Sequence, residues 1–247
     1  MATPLTLPAS SHAATKAALE ALLRERKLRA EAPPLRGEDR RPRPLATGVP
    51  AVDALLLGGF PRGQLSEVFG HASSGRTGLV LSLLARVTRA GALAAHVDPL
   101  DRLDPASAAA AGVTLPRLLW LRGPRVEDGG PKALAEATAA AATLLGSGLF
   151  DAIVLDLAGI GDHERRRLPA TTWIRLQRMA EETSAALVLV ADGHVACGPG
   201  GRTLALAPTG PRWSGPPGPG RLLAGLGLRA VAGRALSSAE LQLIAFA

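Results

Sequence analysis

Residues 70–77 read Gly70-His71-Ala72-Ser73-Ser74-Gly75-Arg76-Thr77, and this stretch predicts the fold. The phosphate-binding loop motif is G-x-x-x-x-G-K-[ST], in which glycines let backbone N–H groups close around phosphate oxygens. Its lysine reaches the β- and γ-phosphates, and its hydroxyl holds Mg²⁺. Arg76 stands where the motif has lysine. Arginine keeps the positive charge, but its planar guanidinium is wider than the ammonium that the loop accommodates.

The residues that flank this loop favour a phosphate-binding loop over a chance glycine and serine turn. Residues 64–69 can form a short strand, and residues 78–89 can form a helix. A strand, a glycine-rich turn and a helix are the context that the motif requires. A chance turn is the alternative, because the chain contains 28 glycines.

A phosphate-binding loop also needs an acidic residue at the end of a neighbouring strand to organise Mg²⁺. Residues 152–156 read Ala-Ile-Val-Leu-Asp, four apolar residues that end in Asp156. The alternative is an aspartate that only caps a turn. The sequence therefore predicts a degenerate nucleotide site formed by Gly70, Ser73, Ser74, Gly75, Arg76, Thr77 and Asp156.

Apolar strands and helices alternate along the middle of the chain, which predicts an α/β fold with a mostly parallel central sheet. The expected strands are residues 65–69, 92–97, 118–121, 152–156 and 186–190. The expected helices are residues 78–89, 105–111, 131–146 and 170–184. The region after residue 190 is rich in glycine and proline, with strands expected at 203–208 and 222–232 and a terminal helix at 236–246.

Three regions follow from this pattern: a basic N-terminal helical arm and linker (1–44), a core (45–205), and a small β-rich extension with a terminal helix packed on the core (206–247). Leucines cluster on one side of the arm helix expected at residues 13–30. Such a stripe either packs back on the core or docks on another protein. The candidate partner contacts in the arm are Leu19, Leu22, Leu23 and Arg24.

Composition restricts the class of protein. Hydrophobic residues make up 47% of the 247 residues, which is typical of a globular chain. No apolar run approaches a membrane span, no signal-peptide core is present, and Cys197 is the single cysteine. We therefore expect a cytoplasmic protein with no membrane contact. No histidine or cysteine has the spacing of a metal site, so no metal is expected.

The net charge of +7 comes from 25 arginines and three lysines. An excess of positive charge suits contact with nucleic acid or with an acidic partner. Enrichment in Arg, Ala, Gly and Pro is also what a GC-rich genome encodes. The charge by itself therefore does not identify a partner.

The chain resembles the RecA recombinase core over residues 45–205. The resemblance is carried by residues 46–55 (ATGVPAVDAL), 58–63 (GGFPRG), the loop at 70–77, 97–105 (VDPLDRLDP), Asp156 and 200–204 (GGRTL). Residues 46–77 are its most specific part. The resemblance implies a RecA-like core.

Length, degenerate motifs and the altered C-terminal part look more like ImuA-type proteins than like RecA itself. That resemblance implies a RecA-like accessory subunit of the bacterial mutasome, acting in the SOS response and DNA repair. The implied partners are ImuB, an inactive relative of Y-family polymerases, and an error-prone replicative-type polymerase, with RecA as a further candidate. The implied process is SOS mutagenesis through translesion synthesis. SulA-like cell-division inhibitors belong to the same loose relationship.

The departures from the recombinase pattern point away from catalysis. Leu100 takes the place of the glutamate that activates water, with Asp101 next to it, and Ser107 takes the place of the aromatic residue that stacks on adenine. Asp192 or Gly193 replaces the sensor glutamine, and no lysine follows Lys132. Loss of such groups typically reduces rate by on the order of a hundredfold or more. We therefore expect no catalytic residue and no required cofactor, and ATP with Mg²⁺ is a doubtful ligand. Arg76 is expected to fill the site or to pair with Asp156.

The same resemblance implies two DNA-binding loops, at residues 159–168 and 194–202. Arg165, Arg166 and Arg167 stand in a row in the first loop, and Arg202 ends the second. Arginines can hold DNA phosphates, and a solvated charge run is the alternative. The second loop has no aromatic residue to stack on bases.

The function that this sequence predicts is a non-catalytic accessory subunit that acts through protein contacts. Its surfaces would be the N-terminal arm and the region after residue 203, where Trp213 precedes the glycine- and proline-rich residues 215–220. Trp213 is either a partner contact or part of the core. The alternative functions are a DNA-stimulated ATPase of the RecA type and a SulA-like cell-division inhibitor.

Overall fold

The computed structural model describes residues 42–123, 131–233 and 237–244, together with Ala21. Within these residues, eight strands form one sheet. The strands are β1 (Gln64–Phe69), β2 (Ala94–Asp98), β3 (Leu118–Arg122), β4 (Ala152–Asp156), β5 (Ala186–Ala191), β6 (Thr203–Ser214), β7 (Leu222–Ala232) and β8 (Ser237–Ile244). The helices are α1 (Pro50–Leu55), α2 (Arg76–Arg89), α3 (Pro105–Ala110), α4 (Pro131–Ser147), α5 (Asp162–Arg166) and α6 (Ala170–Glu181).

The strand order is β3-β2-β4-β5-β1-β6-β7-β8. The first six strands in this order run parallel, and β7 pairs antiparallel with both β6 and β8. Strand β5 lies between β1 and β4, so that Phe69 pairs with Ala191 and Asp156 pairs with Val190. The loops that follow β1, β4 and β5 therefore meet at one edge of the sheet.

Both faces of the sheet are buried, and alternate residues of each strand supply the two cores. In β5, Val188 and Val190 join the core beneath α2, whereas Leu187 and Leu189 join the core beneath α4 and α6. All six residues of β5 are buried. Central parallel strands of this kind are continuous apolar runs in the sequence, and for this reason they could be predicted from it.

The α/β fold with a mostly parallel sheet is confirmed, and each of the five core strands and four core helices expected from the sequence is present. Two short helices were not anticipated. Helix α1 begins at Pro50, which suits the first helical turn because proline has no N–H to leave unpaired. Helix α5 lies inside the segment expected to be a DNA-binding loop.

The prediction of a terminal helix at residues 236–246 is wrong. Residues Ser237–Ile244 form strand β8, which pairs antiparallel with β7 from Gly225 to Ala232. Strand β6 is also longer than expected and runs from Thr203 to Ser214, across the boundary placed at residue 205. The C-terminal region thus continues the core sheet.

The helical arm expected at residues 13–30, with Leu19, Leu22, Leu23 and Arg24, lies outside the described residues except for Ala21, which is helical and exposed. Residues 42–44 lead into Leu45, which forms an isolated bridge with Phe60. Among the described helices, none has the length and apolar character needed to cross a bilayer.

Candidate nucleotide site

The loop between β1 and α2 has the backbone of a phosphate-binding turn. Gly75, immediately before α2, has φ +85°, a conformation that glycine adopts without a steric penalty. Ser73 also has positive φ, at +61°. Helix α2 begins at Arg76, so its first N–H groups face the loop, as anion-binding helix termini do.

Gly70 is packed so closely that a side chain would not fit. A Cβ atom there would lie 2.2 Å from the carbonyl oxygen of Leu206 and 2.7 Å from the Ser74 hydroxyl. The Ser74 Oγ is buried and has no hydrogen-bond partner among the described residues. The backbone N–H of Ser74 instead closes the turn onto the His71 carbonyl, at 3.2 Å. Thr77 is exposed.

Arg76 forms an ion pair with Asp192, at 2.8 Å between Nη2 and Oδ1. The expectation of a pair with Asp156 is therefore wrong. Because β5 lies between β1 and β4, the residue after β5 is the carboxylate that Arg76 reaches first. The Arg76 side chain is only 10% exposed. Its second terminal nitrogen is buried without a hydrogen-bond partner among the described residues.

Asp192 connects three segments around the loop. Its second oxygen accepts a hydrogen bond from the Gly159 N–H at 2.6 Å and lies 3.9 Å from Arg165. Burial raises the pKa of Asp192, but the hydrogen bonds from Gly159 and Arg76 and the charges of Arg76 and Arg165 outweigh it. The net effect holds this pKa below its ordinary value, so Asp192 is a carboxylate at neutral pH.

Asp156 ends β4 as expected and is partly exposed. One carboxylate oxygen accepts the Ala158 N–H at 2.9 Å, and the other lies 3.7 Å from Nε2 of His96. His96 is buried on β2, and both of its ring nitrogens are without a hydrogen-bond partner among the described residues.

The segment where a recombinase carries its catalytic glutamate is arranged differently here. Leu100 packs against the apolar core beneath α4 and α6. The neighbouring Asp101 has a buried side chain that accepts two hydrogen bonds from Arg122, at 2.6 and 2.8 Å. Asp101 also has φ +57°, a strained conformation outside glycine. The Asp101 carboxylate therefore binds Arg122, the last residue of β3.

The three arginines predicted as a DNA-binding row do not share one surface. Arg165 is buried, and it donates to the Ile160 carbonyl at 2.8 Å and pairs with Asp162. It cannot contact DNA in this structure, because its guanidinium is already enclosed. Arg166 and Arg167 are exposed near the end of α5, and Arg167 lies 3.4 Å from Glu164.

Residues 194–202, the second expected DNA-binding loop, are fixed to β1. Glu67 is fully buried and accepts hydrogen bonds from the backbone N–H groups of Val195 and Ala196, and its other oxygen lies 2.6 Å from His194 Nδ1. Further along, the N–H of Arg202 donates to Ser66 Oγ at 3.1 Å. The Arg202 side chain is partly buried. Glu67 is not among the residues predicted from the sequence, although an acidic residue inside an apolar strand signals a buried partner.

Trp213 lies in the outer part of the β6–β7 hairpin and is 49% exposed. The alternative in which it belongs to the core is therefore wrong. No group of three or more potential metal-binding side chains occurs among the described residues.

The backbone of the loop has the shape to hold a phosphate, but the charged side chains around it are not arranged to bind one. Gly70, Gly75 and the start of α2 retain the shape of an anion cradle. The cation that would face the phosphate is paired with Asp192, and that carboxylate would repel an incoming anion. These residues do not fit a nucleoside triphosphate in the arrangement that the structure shows.

A glycine-rich loop between a central parallel strand and a helix, with an aspartate at the end of a nearby strand, defines the fold of P-loop nucleoside triphosphatases. The family model of the RecA N-terminal domain matches residues 37–161, half of the chain. This chain therefore belongs to the family of the RecA N-terminal domain.

Curated relatives agree with that assignment. Protein RecA of Rubrobacter xylanophilus is 44% identical over 113 residues, covering 45% of this chain and 30% of that protein. Protein RecA of Borreliella afzelii is 43% identical over 104 residues, covering 42% of this chain and 26% of that protein. Protein RecA of Corynebacterium jeikeium is 41% identical over 123 residues, covering 49% and 31%. The alignments thus span about a third or less of each relative.

Proposed function

We propose that this chain is a non-catalytic RecA-like accessory subunit of the bacterial DNA-damage response, working in the cytoplasm. In this proposal it supports error-prone translesion synthesis through contacts with an ImuB-like protein, a replicative-type polymerase or RecA, and can modulate RecA. The relationship to RecA supports a place in DNA repair, and the finer role is an inference from the resemblance to ImuA-type proteins.

The observation that carries the proposal is the ion pair between Arg76 and Asp192. A phosphate-binding loop uses its cation for the β- and γ-phosphates, and a triphosphate would have to displace a partly buried carboxylate to reach this one. In this proposal the loop keeps its backbone shape because it stabilises the fold, since Gly70 packs against β6.

The segment after β2 supports the same conclusion. A general base has to lie within hydrogen-bond reach of the water that it activates. Leu100 has no proton acceptor, and Asp101 is held by Arg122. Loss of a base and loss of a phosphate-binding cation each reduce turnover severely, so the two changes together argue against ATP hydrolysis.

The test is Mg·ATP binding by calorimetry and phosphate release, with and without single-stranded DNA, for the wild type, Arg76→Lys and Asp156→Ala. We expect no binding and no turnover by any of the three, together with binding to a purified ImuB-like protein whether ATP is present or absent. DNA-stimulated turnover by the wild type that Asp156→Ala removes would overturn the proposal.

A DNA-stimulated ATPase is the second candidate, and it is favoured by one observation. Thr77 and Asp156, the two Mg²⁺-organising positions, are both retained and at least partly exposed. In that case nucleotide binding would break the Arg76–Asp192 pair. The same phosphate-release measurement distinguishes the two candidates.

A further inference from the structure

The outer half of the β6–β7 hairpin, residues 211–224, is exposed on both of its faces and is called here the outer hairpin. Trp213, Leu222 and Leu223 are 49%, 70% and 46% exposed. Trp213 lies directly opposite Leu223, and Leu222 lies opposite Ser214. Because neighbouring residues of a strand point to opposite faces, Leu222 presents apolar surface on the face away from Trp213.

Charge on the outer hairpin itself is of one sign. No acidic residue occurs between Asp192 and Glu240 in the sequence. Arg212 and Arg221 lie on the outer hairpin and are both exposed, whereas Arg229 lies opposite Glu240 of β8. The Arg221 guanidinium lies 5.8 Å from the centroid of the Trp213 ring, where a cation interacts favourably with the aromatic face.

The body of the sheet gives the outer hairpin little cover. Strand β1 pairs with β6 only as far as Ala205, and within the described residues β8 pairs with β7 no further than Gly225. A two-stranded ribbon is marginally stable in water when it stands alone. Tryptophan and arginine are enriched at the centres of protein interfaces, and the two exposed leucines add apolar area beside them.

Membrane and nucleic-acid surfaces fit these side chains less well. Residues 215–220, at the tip, are three glycines and three prolines, and a bilayer would leave the polar groups of their backbone unsatisfied. Single-stranded nucleic acid would use the arginines and stack on Trp213, but it would leave Leu222 and Leu223 uncovered. A protein cleft can cover both faces of the ribbon.

We propose that the outer hairpin inserts into an apolar cleft on a partner protein, and that acidic side chains at the rim of that cleft pair with Arg212 and Arg221. Trp213, Leu222 and Leu223 supply the buried apolar contact. This inference rests on the proposed function and adds to it the surface that binds the partner and the chemistry of the partner's site.

The test measures how tightly the full chain binds a purified ImuB-like protein from the same organism that is immobilised on a sensor surface, at 50 and 300 mM KCl. Two hairpin variants, Trp213→Ala/Leu223→Ser and Arg212→Gln/Arg221→Gln, are compared with Ile174→Ser and Arg175→Gln/Arg178→Gln, which change exposed residues of α6. Thermal unfolding followed by circular dichroism establishes that each variant is folded. A fluorescein-labelled 30-nucleotide oligo(dT) is titrated in parallel.

We expect the apolar hairpin variant to weaken partner binding at least tenfold, and the arginine variant to weaken it most at low salt and to reduce its salt dependence. The α6 variants should bind as the wild type does. Partner binding that both hairpin variants retain would overturn this inference and leave the proposed function standing. A wild type that binds no ImuB-like protein would overturn both. If the hairpin variants lose oligo(dT) binding but keep partner binding, the outer hairpin is a nucleic-acid surface, and the inference is overturned.

Discussion

At the scale of single residues, we propose that Asp192 prevents the loop from holding phosphate, because it pairs with Arg76. In Asp192→Asn the guanidinium of Arg76 loses its anionic partner and the loop loses a repulsive charge. We expect stability to fall by about 2 kcal/mol, since the buried Arg76 is left without a charge partner. We also expect Mg·ATP binding to become measurable by calorimetry in this variant, because the negative charge that would repel the phosphates is gone. Urea unfolding and calorimetry measure the two effects.

The matched control for this change is Asp151→Asn. Asp151 pairs with Arg62 at 2.7 Å, at the opposite edge of the sheet from the loop. Like the wild type, Asp151→Asn should show no Mg·ATP binding. Absence of Mg·ATP binding by Asp192→Asn would mean that the Asp192 carboxylate is not what excludes the phosphate.

The depressed pKa of Asp192 also predicts a pH dependence. A carboxyl group whose pKa is lowered by folding stabilises the protein fully above its unfolded value, about 3.9. That contribution is lost as the pH falls from there through the folded pKa. The difference in unfolding free energy between the wild type and Asp192→Asn should therefore be constant from pH 7 to 5 and should shrink below about pH 4. A difference that already declines near pH 6 would assign the effect to another group.

At the scale of elements, Glu67 connects strand β1 to residues 194–202. Its buried carboxylate accepts from two backbone N–H groups and contacts His194. Glu67→Gln keeps an oxygen for the two backbone N–H groups but removes the charge that strengthens both bonds, and it points an amide donor at His194, so we expect a loss of about 2 kcal/mol. Hydrogen exchange at Val195 and Ala196 should become faster, while exchange in α4 stays the same. Glu136→Gln, which removes one partner of an exposed pair on α4, should change neither.

Gly70 connects the loop to strand β6. Gly70→Ala would place a Cβ atom 2.2 Å from a backbone carbonyl oxygen, which cannot move without shifting β6. We expect a loss of about 1–3 kcal/mol by urea unfolding, typical of overpacking. Gly161→Ala is the control, since a Cβ atom there meets nothing within 4 Å. Equal stability of the two variants would show that β6 moves away from the loop at little cost.

Strands that are buried on both faces could be predicted from the sequence, as could the edge strand β3, whereas the opposite edge strand β8 could not. The run from Ala152 to Asp156 has one interpretation, because burial on two sides demands continuous apolar residues. Residues 237–244 carry apolar residues at spacings compatible with either helix or strand, and pairing with β7 decides in favour of the strand. The partner of Arg76 depends on the position of β5 in the sheet, which the order of elements along the chain does not specify.

At the scale of the whole molecule, three changes converge on one edge of the sheet. Arg76 follows β1, Leu100 follows β2 and Asp192 follows β5, so each lies beyond the carboxyl end of a parallel strand. Open α/β sheets bind their ligands at this edge. Because all three changes lie at this edge, we propose that any loss of ATP hydrolysis arises at the site rather than in the architecture of the sheet.

The convergence predicts that no single reversal restores turnover. Arg76→Lys alone should behave as the wild type, because Asp192 can pair with an ammonium as well as with a guanidinium. Arg76→Lys with Asp192→Gln should bind Mg·ATP, since the cation is released and the repulsive charge is gone. Adding Leu100→Glu should raise phosphate release at least tenfold over that double variant, because a general base typically contributes 10²–10⁴. Asp156→Ala in the triple variant should abolish the gain. Turnover by Arg76→Lys alone would mean that the catalytic base is not at position 100. It would also mean that nucleotide binding can break the ion pair with Asp192, so that the pair does not block the site permanently.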